Sequence, residues 1–244
     1  NTNTYVSWNW KETATAGFDI IGYSGTGSTA TVSHNLGVVP SLIILKCRTN
    51  DNPDWIVFGK TLGGTVGSEY LKLNNTGAKT TGLDTSWFNQ TAPTSSVFTV
   101  GTQGDVNGSS NTYIAYVFAE KKGFSKFGSY TGNASGNGAG PFIYTGFKSS
   151  FIMIKNASAS STDWLIFDNK RGGPVATYYG NNNKFFLEAN ENDAEANETF
   201  DMYSNGFKIK ITNNFINGDG NTLIYMAFAE APLVNSNGVP CNAR

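Results

Sequence analysis

Bulky apolar residues alternate with smaller or polar residues along many short segments of this chain. Residues 111–120 read NTYIAYVFAE, so Ile114, Tyr116 and Phe118 share one side of an extended strand and smaller side chains dominate the other. A period of two with one heavy face is typical of a strand packed on a core. We therefore expect the heavy face to be core and the opposite face to lie against little or nothing.

The same strand recurs twice more. Residues 3–12 read NTYVSWNWKE and residues 221–230 read NTLIYMAFAE, again with bulky apolar residues on the heavy face. Between these segments, Lys46 recurs as Lys155 and Trp55 as Trp164, each 109 positions later. A period this long is that of a whole domain, whereas solenoid units run roughly 20–50 residues. The sequence therefore predicts an internal duplication.

The phase of the repeat predicts the domain boundaries. Residues 1–12 are the closing strand of a preceding or partner repeat, 13–122 the first β-sandwich repeat, 123–234 the second, and 235–244 a C-terminal tail. Because the chain opens on a closing strand, we expect either a piece of a longer array or a strand that completes a neighbouring sheet. Both favour a modular assembly, in which linked weak sites gain affinity through effective concentration.

Further strand patterns fill each repeat, separated by Gly, Asn and Ser clusters that favour turns. No stretch has a convincing helical period. The predicted fold is all-β: two tandem antiparallel β-sandwich domains of jelly-roll or concanavalin-like type, related by internal duplication. The predicted strands are residues 18–23, 29–33, 42–45, 55–58, 70–73 and 97–100, then 127–130, 142–144, 151–154, 164–167, 185–187 and 207–211.

Composition argues against several classes of partner. The net charge is −1 and only 14% of residues are charged, without the basic runs that neutralise nucleic-acid phosphates. No apolar run approaches the roughly 20 residues of a membrane-spanning helix, so we expect no membrane insertion. Cys47 and Cys241 are too few for a disulfide framework and are expected to be two free thiols.

Catalytic and metal-binding patterns are weak. His34 is the only histidine, no Gly-x-Ser-x-Gly elbow is present, and Asp54 and Asp163 open equivalent strands, which favours a structural role. The oxygen-rich loop 217–221 resembles a calcium loop, but its aspartate is absent from the matching loop 107–111. We therefore predict no enzyme, no cofactor and no metal, with a carbohydrate-active enzyme or its binding module as the less favoured alternative.

Aromatic residues in polar loops are the better candidates for binding. Trp87 and Asn89 lie in one such loop, and Tyr178, Tyr179 and Asn181 lie in another, and the two loops differ between the copies. Sugars stack an apolar face on an aromatic ring while amides bind the hydroxyls. The alternative is that these aromatic residues anchor their loops on the core.

Six segments carry a further signal: residues 113–120 (YIAYVFAE), 124–133 (FSKFGSYTGN), 140–147 (GPFIYTGF), 205–208 (NGFK), 227–232 (AFAEAP) and 238–244 (GVPCNAR). Together they resemble a tandem domain of virion surface proteins, particularly tail fibres, of tailed bacteriophages from aquatic environments. This resemblance implies a sandwich similar to concanavalin-like lectins. It carries over no binding residue.

The resemblance implies a structural protein of the virion surface, a tail fibre or spike segment that presents loops to a host-surface glycan. Other virion proteins are the expected partners, and a homo-oligomer, with a trimer favoured, is the expected assembly. The alternative is a capsid decoration or head-fibre protein without receptor binding. Likeness of fold to lectins does not by itself establish sugar binding.

Overall fold

The computed structural model describes residues 5–50, 53–64, 66–136, 138–175 and 182–230. Within them the chain is all-β, antiparallel and sandwich-like, which confirms the predicted class. The first half contains β1 (Phe18–Ser24), β2 (Ala30–Ser33), β3 (Leu42–Cys47), β4 (Trp55–Phe58), β5 (Glu69–Lys72), β6 (Thr80–Thr81), β7 (Val97–Val100) and β8 (Thr112–Phe118). The second contains β9 (Ser125–Thr131), β10 (Phe142–Tyr144), β11 (Ser149–Asn156), β12 (Leu165–Val175), β13 (Asn182–Glu188), β14 (Ala196–Tyr203), β15 (Gly206–Ile209) and β16 (Thr222–Ala229).

Short helices, which the sequence did not predict, lie in the connections. They are α1 (Thr85–Phe88), α2 (Gly104–Asn107) and α3 (Asn214–Asn217), with 3-10 turns at Ala14–Ala16 and Lys60–Leu62. Each is too short to show a helical period in sequence. Each of the three α-helices adds one buried apolar residue to a core, namely Phe88, Val106 and Ile216.

The strands of the described residues form three sheets. The first has six strands in the order β1-β8-β3-β4-β5-β6, and the second pairs β2 with β7. The third has eight strands in the order β10-β15-β14-β13-β12-β11-β16-β9. Thus β13 and β14 connect the outer strands of the second half, β10 and β15, to its inner strands β12, β11, β16 and β9. In the first half the outer strands, β2 and β7, form a separate sheet.

Three apolar cores lie between these layers. The first core packs β2 and β7 on the six-stranded sheet, and the third core lies within the curved eight-stranded sheet. The second, which we call the central core, lies between the halves and contains Phe118 and Leu42 from one and Phe228 and Met153 from the other. The two halves therefore share one continuous apolar interface.

The prediction that one face of the repeated strand lies against little or nothing is wrong. Ala115 and Val117 of β8, on the face with smaller side chains, are both fully buried in the first core. The heavy face, with Phe118 and its counterpart Phe228, packs in the central core. Small side chains allow another layer to pack closely on the strand. A strand face with small apolar residues is therefore as consistent with burial as with exposure.

Polar contacts also join the halves at one end of the central core. The indole Nε1 of Trp164 donates to the carbonyl of Lys72 over 2.9 Å. The amide of Lys79 donates to the carbonyl of Ala157 over 2.8 Å. These bonds tie the loop after β5 to the loop after β11.

Equivalent hydrogen bonds occur in the two halves. The Tyr23 hydroxyl donates to the Val106 carbonyl over 2.6 Å, and the Tyr130 hydroxyl donates to the Ile216 carbonyl over 2.7 Å. In each case a tyrosine of the first strand of its half holds the short helix before the last strand. The duplication and its domain boundaries stay predictions, which these matching contacts support.

The strand predicted within residues 1–12 is not formed over residues 5–12, which have no regular secondary structure. Trp8 and Trp10 pack against Phe151 and Phe228 at the rim of the central core. Trp8 and Trp10, on the heavy face of this segment, therefore contact the core of the same chain, although the segment does not pair with a strand.

Two sequence expectations concern membranes and thiols. Among the described helices, none has the length and apolar character required to cross a bilayer. Cys47 is a buried free thiol, as expected. Cys241 lies outside the described residues.

Candidate ligand-binding cleft

Trp87 and Asn89, two of the predicted site residues, lie on α1 and directly after it. The Asp84 carboxylate accepts a hydrogen bond from the Ser86 amide over 2.9 Å and begins the helix, and Asn89 ends it with φ 51°. The Trp87 ring stacks on Tyr70 at 4.2 Å and is half-buried against the first core. Trp87 therefore anchors its loop, and sugar binding there stays a prediction. The other candidates, Tyr178, Tyr179 and Asn181, lie outside the described residues.

We expect Trp87→Ala to lower the free energy of unfolding by about 2 kcal/mol, because the stacked ring leaves a cavity beside Tyr70. Trp87→Phe, which keeps a ring at the position, should lower it by less than about 1 kcal/mol. Urea unfolding followed by circular dichroism measures both changes. Equal stability of the alanine variant and the wild type would show that Trp87 does not anchor the loop.

A cleft of about 700 Å³ opens where residues 5–12, which we call the N-terminal segment, cross the rim of the central core. Aromatic side chains form one part of its lining, namely Trp8, Trp10, Phe18, Phe124, Phe151 and Phe228. Polar side chains form the other part, among them Ser150, Asp168, Asn169 and Lys170. Ligand pockets in proteins combine a mostly apolar wall with a few polar groups in this way.

Edge-to-face contacts hold the two indoles in place. Trp10 lies 5.1 Å from Phe151 and 5.4 Å from Phe228 between ring centroids, and Trp8 lies 5.7 Å from Phe151. The Arg171 guanidinium sits 5.4 Å from the Trp8 ring centroid, a cation–π contact. The aromatic wall is therefore anchored to β11, β12 and β16.

A break in strand pairing shapes the polar wall. The register between β12 and β13 shifts between Phe167 and Gly172, as at a bulge. Inside this break the buried Asp168 carboxylate accepts bonds from the amides of Lys170 and Arg171 at 2.9 and 2.8 Å, and from Arg171 Nε at 2.6 Å. Burial by itself raises the pKa of Asp168, but these hydrogen bonds outweigh it and hold the pKa below its ordinary value. Asp168 is thus committed to holding the bulge.

Asn169, the next residue, supplies a buried polar group of the cleft. It lines the cleft, and both its amide nitrogen and its amide oxygen are buried without a hydrogen bond. Leaving such a group unpaired costs about 1–3 kcal/mol. No sequence signal marks this residue, because its role depends on the bulge.

His34 shows no arrangement for general base catalysis. It is buried, its Nε2 lies 3.2 Å from the Thr94 carbonyl, and its Nδ1 accepts from the Leu36 amide at 3.4 Å. Both ring nitrogens are thus engaged by the backbone. Over the described residues, no group of three His, Cys, Asp or Glu side chains is placed to hold a metal ion.

Comparison with known proteins gives one match. A family model described as a domain of unknown function (DUF7483) matches residues 1–232, which include the N-terminal segment and both halves. Neither a curated protein nor a solved structure matches the chain significantly.

Proposed function

The chain belongs to the DUF7483 family, and we propose that this family member is a passive binding module of a virion surface. In this role it is a segment of a tail fibre or spike, assembles as a homo-oligomer with other virion proteins, and attaches to a host-surface glycan without turnover. The sequence resemblance to phage fibre proteins supports the virion setting. The central core joins both halves. This continuous packing supports the proposal that the chain is a rigid structural part of the virion.

The unpaired Asn169 amide in an aromatic cleft is the observation that carries the binding role. An amide offers one acceptor and two donors, which suits the neighbouring hydroxyls of a sugar. Trp8 and Trp10 supply apolar surface for the ring face of the same sugar. Because both amide atoms are buried in the free protein, binding there requires the Asn169 side chain to rotate toward a ligand hydroxyl, which then supplies the missing partners.

We expect Asn169→Leu to weaken binding of the glycans that the cleft holds and to leave the free protein as stable as the wild type or more stable. The leucine loses the hydrogen bonds to the sugar, at least about tenfold in affinity, but no longer buries an unpaired amide. Binding to a glycan array, followed by titration of the oligosaccharides that bind, measures the affinity. Urea unfolding measures the stability.

Asn35→Ala is the matched control, since Asn35 is exposed in the first half, and it should change neither quantity. Unchanged glycan binding by Asn169→Leu, together with a loss of stability, would reject the cleft as the site. The virion role has a separate test: gold-labelled antibodies against the chain should mark the fibres or spikes of intact particles. Labelling confined to the capsid face would favour the decoration alternative.

A further inference from the structure

Among the side chains that the structure describes, three exposed aromatic ones lie on or next to the outer strands of the second half. Phe142 and Tyr144 of β10 and Tyr203 at the end of β14 are exposed by 46%, 65% and 42%. Gly206 of β15 pairs with Tyr144 on one side and with Tyr203 on the other. Directly paired residues, and residues two apart on one strand, share a sheet face. Phe142, Tyr144 and Tyr203 therefore form one surface, which we call the outer aromatic patch.

The first half has the same framework without the aromatic residues. Its outer strands pair Val32 with Phe98, as β10 and β15 pair Ile143 with Phe207, and all four residues are buried. The residues on either side of Val32 are Thr31 and Ser33, and the position 109 before Tyr203 is Thr94, all exposed. Hydroxyl residues thus stand where the second half has aromatic ones. The scaffold does not require the patch.

Gly206 leaves room for the Phe142 ring of the patch. A Cβ at this position would lie 2.8 Å from Phe142 Cζ and would also clash with the Ile143 carbonyl, so a larger residue would displace the ring. With glycine there, the Phe142 and Tyr203 rings meet edge to face, 5.9 Å apart and at 67°. The first half has Val97 at the corresponding place. The patch is therefore preorganised before any ligand arrives.

The charged groups beside the patch are Asp201, Lys208 and Lys210, so the patch has little net charge. Asp201 Oδ2 accepts from the Tyr203 hydroxyl at 3.1 Å and pairs with Lys210 Nζ at 2.8 Å. Asp201 is also paired across the strands with Lys208, which in turn neighbours Phe142. A surface of exposed rings and hydroxyls without strong net charge suits a neutral ligand that has both an apolar face and hydroxyl groups.

We propose that the outer aromatic patch is a second carbohydrate site, which binds neutral hexopyranose units by stacking. The patch exposes roughly 300 Å² of aromatic surface, given 150–250 Å² for each whole side chain. A stable protein partner needs about 800 Å² on each side, whereas one or two sugar rings match this smaller area. The site lies on the outer layer, apart from the cleft at the rim of the central core, and does not rest on the role proposed for the cleft.

The test replaces the patch by the residues of the first half: Phe142→Thr, Tyr144→Ser and Tyr203→Thr in one variant. Because these side chains are exposed, its thermal unfolding midpoint should stay within about 4 °C of the wild type. Binding is measured on an array of neutral glucose, galactose and mannose oligosaccharides. For those that Asn169→Leu still binds, we expect the triple variant to bind at least about tenfold more weakly than the wild type. Tyr144→Phe with Tyr203→Phe, which keeps the rings, should lose less than about threefold.

Three outcomes would overturn the proposal. One is wild-type binding to none of these neutral glycans. Another is equal binding by the triple variant and the wild type. The third is a wild-type oligomer that the triple variant converts to monomers in light scattering, since the patch would then be an interface between copies of the chain. Loss of binding in Asn169→Leu alone would retain the cleft and reject the patch, so the two sites are tested separately.

Discussion

Replacing Phe228 by alanine should lower the free energy of unfolding by about 4 kcal/mol, because a large buried side chain leaves a cavity that its neighbours cannot fill. Phe228 of β16 is 5% exposed. Its ring lies within 6.1 Å of the ring centroids of Trp10, Phe118, Phe124, Phe127 and Phe151. Since these residues come from the N-terminal segment and both halves, the loss affects the central core as a whole.

The same core predicts how the protein unfolds. With one shared apolar interface, both halves should unfold together, so tryptophan fluorescence and far-ultraviolet circular dichroism should give coincident urea transitions. Phe142→Ala is the matched control: its side chain is 46% exposed, and the expected change is below about 1 kcal/mol. Two separate transitions in the wild type, or similar effects of the two substitutions, would contradict the role assigned to the central core.

Replacing Lys155 by methionine should lower the free energy of unfolding by about 3 kcal/mol, because it leaves buried oxygen atoms without a donor. Lys155 is fully buried. Its Nζ donates to the Thr76 carbonyl at 3.2 Å, to Thr162 Oγ1 at 3.0 Å and to the Thr162 carbonyl. Thr76 belongs to the first half and Lys155 to the second, so this ammonium group also joins the halves.

Lys46, the repeat counterpart of Lys155, provides the matched control. Its Nζ donates to the Pro53 carbonyl at 2.6 Å and lies 5.4 Å from the Trp55 ring centroid, but the residue is only partly buried. Lys46→Met should therefore cost no more than about 1 kcal/mol. Urea unfolding at pH 7 measures both variants, and equal losses would show that burial does not separate the two lysines.

The pH dependence gives a second measurement on the same variants. Burial lowers the pKa of Lys155 to about 8, an effect that the Asp163 carboxylate partly offsets, whereas the ordinary value is 10.5. Between these values the unfolded chain binds a proton that the folded chain has released, so stability rises with pH from about 8 to 10.5. The wild type should gain stability over this window relative to Lys155→Met, and parallel pH profiles would contradict the assignment.

Much of the sheet structure could be predicted from the sequence. The alternation in residues 111–120 and 221–230 places β8 and β16, and the apolar runs place β3, β4, β11 and the start of β12. The polar strand β14 was missed, because Phe200 is the one fully buried side chain among those of the strand that the structure describes, and its sequence has little alternation. The repeat also aligned Lys46 with Lys155. It did not predict that Lys155 is fully buried whereas Lys46 is only partly buried.

The candidate sites were harder to predict. Trp87 was selected as an aromatic residue of a polar loop, and its stacking on Tyr70 agrees with the alternative that it anchors this loop. Trp8 and Trp10 were recognised as a heavy face without a known contact surface, and Asn169 has no sequence signal because a bulge sets its surroundings. Phe142 and Tyr144 were assigned to a strand whose exposed side the sequence does not specify.

The sequence by itself determined the all-β class, the main strands and the repeated positions, since these depend on local alternation and on similarity along the chain. Only the tertiary structure decided that both faces of β8 and β16 pack against a core, that the halves share a core, and which polar groups lack partners. The physical reason is that alternation reports the direction of each side chain relative to its own strand, whereas burial depends on the layer that arrives from a distant part of the chain.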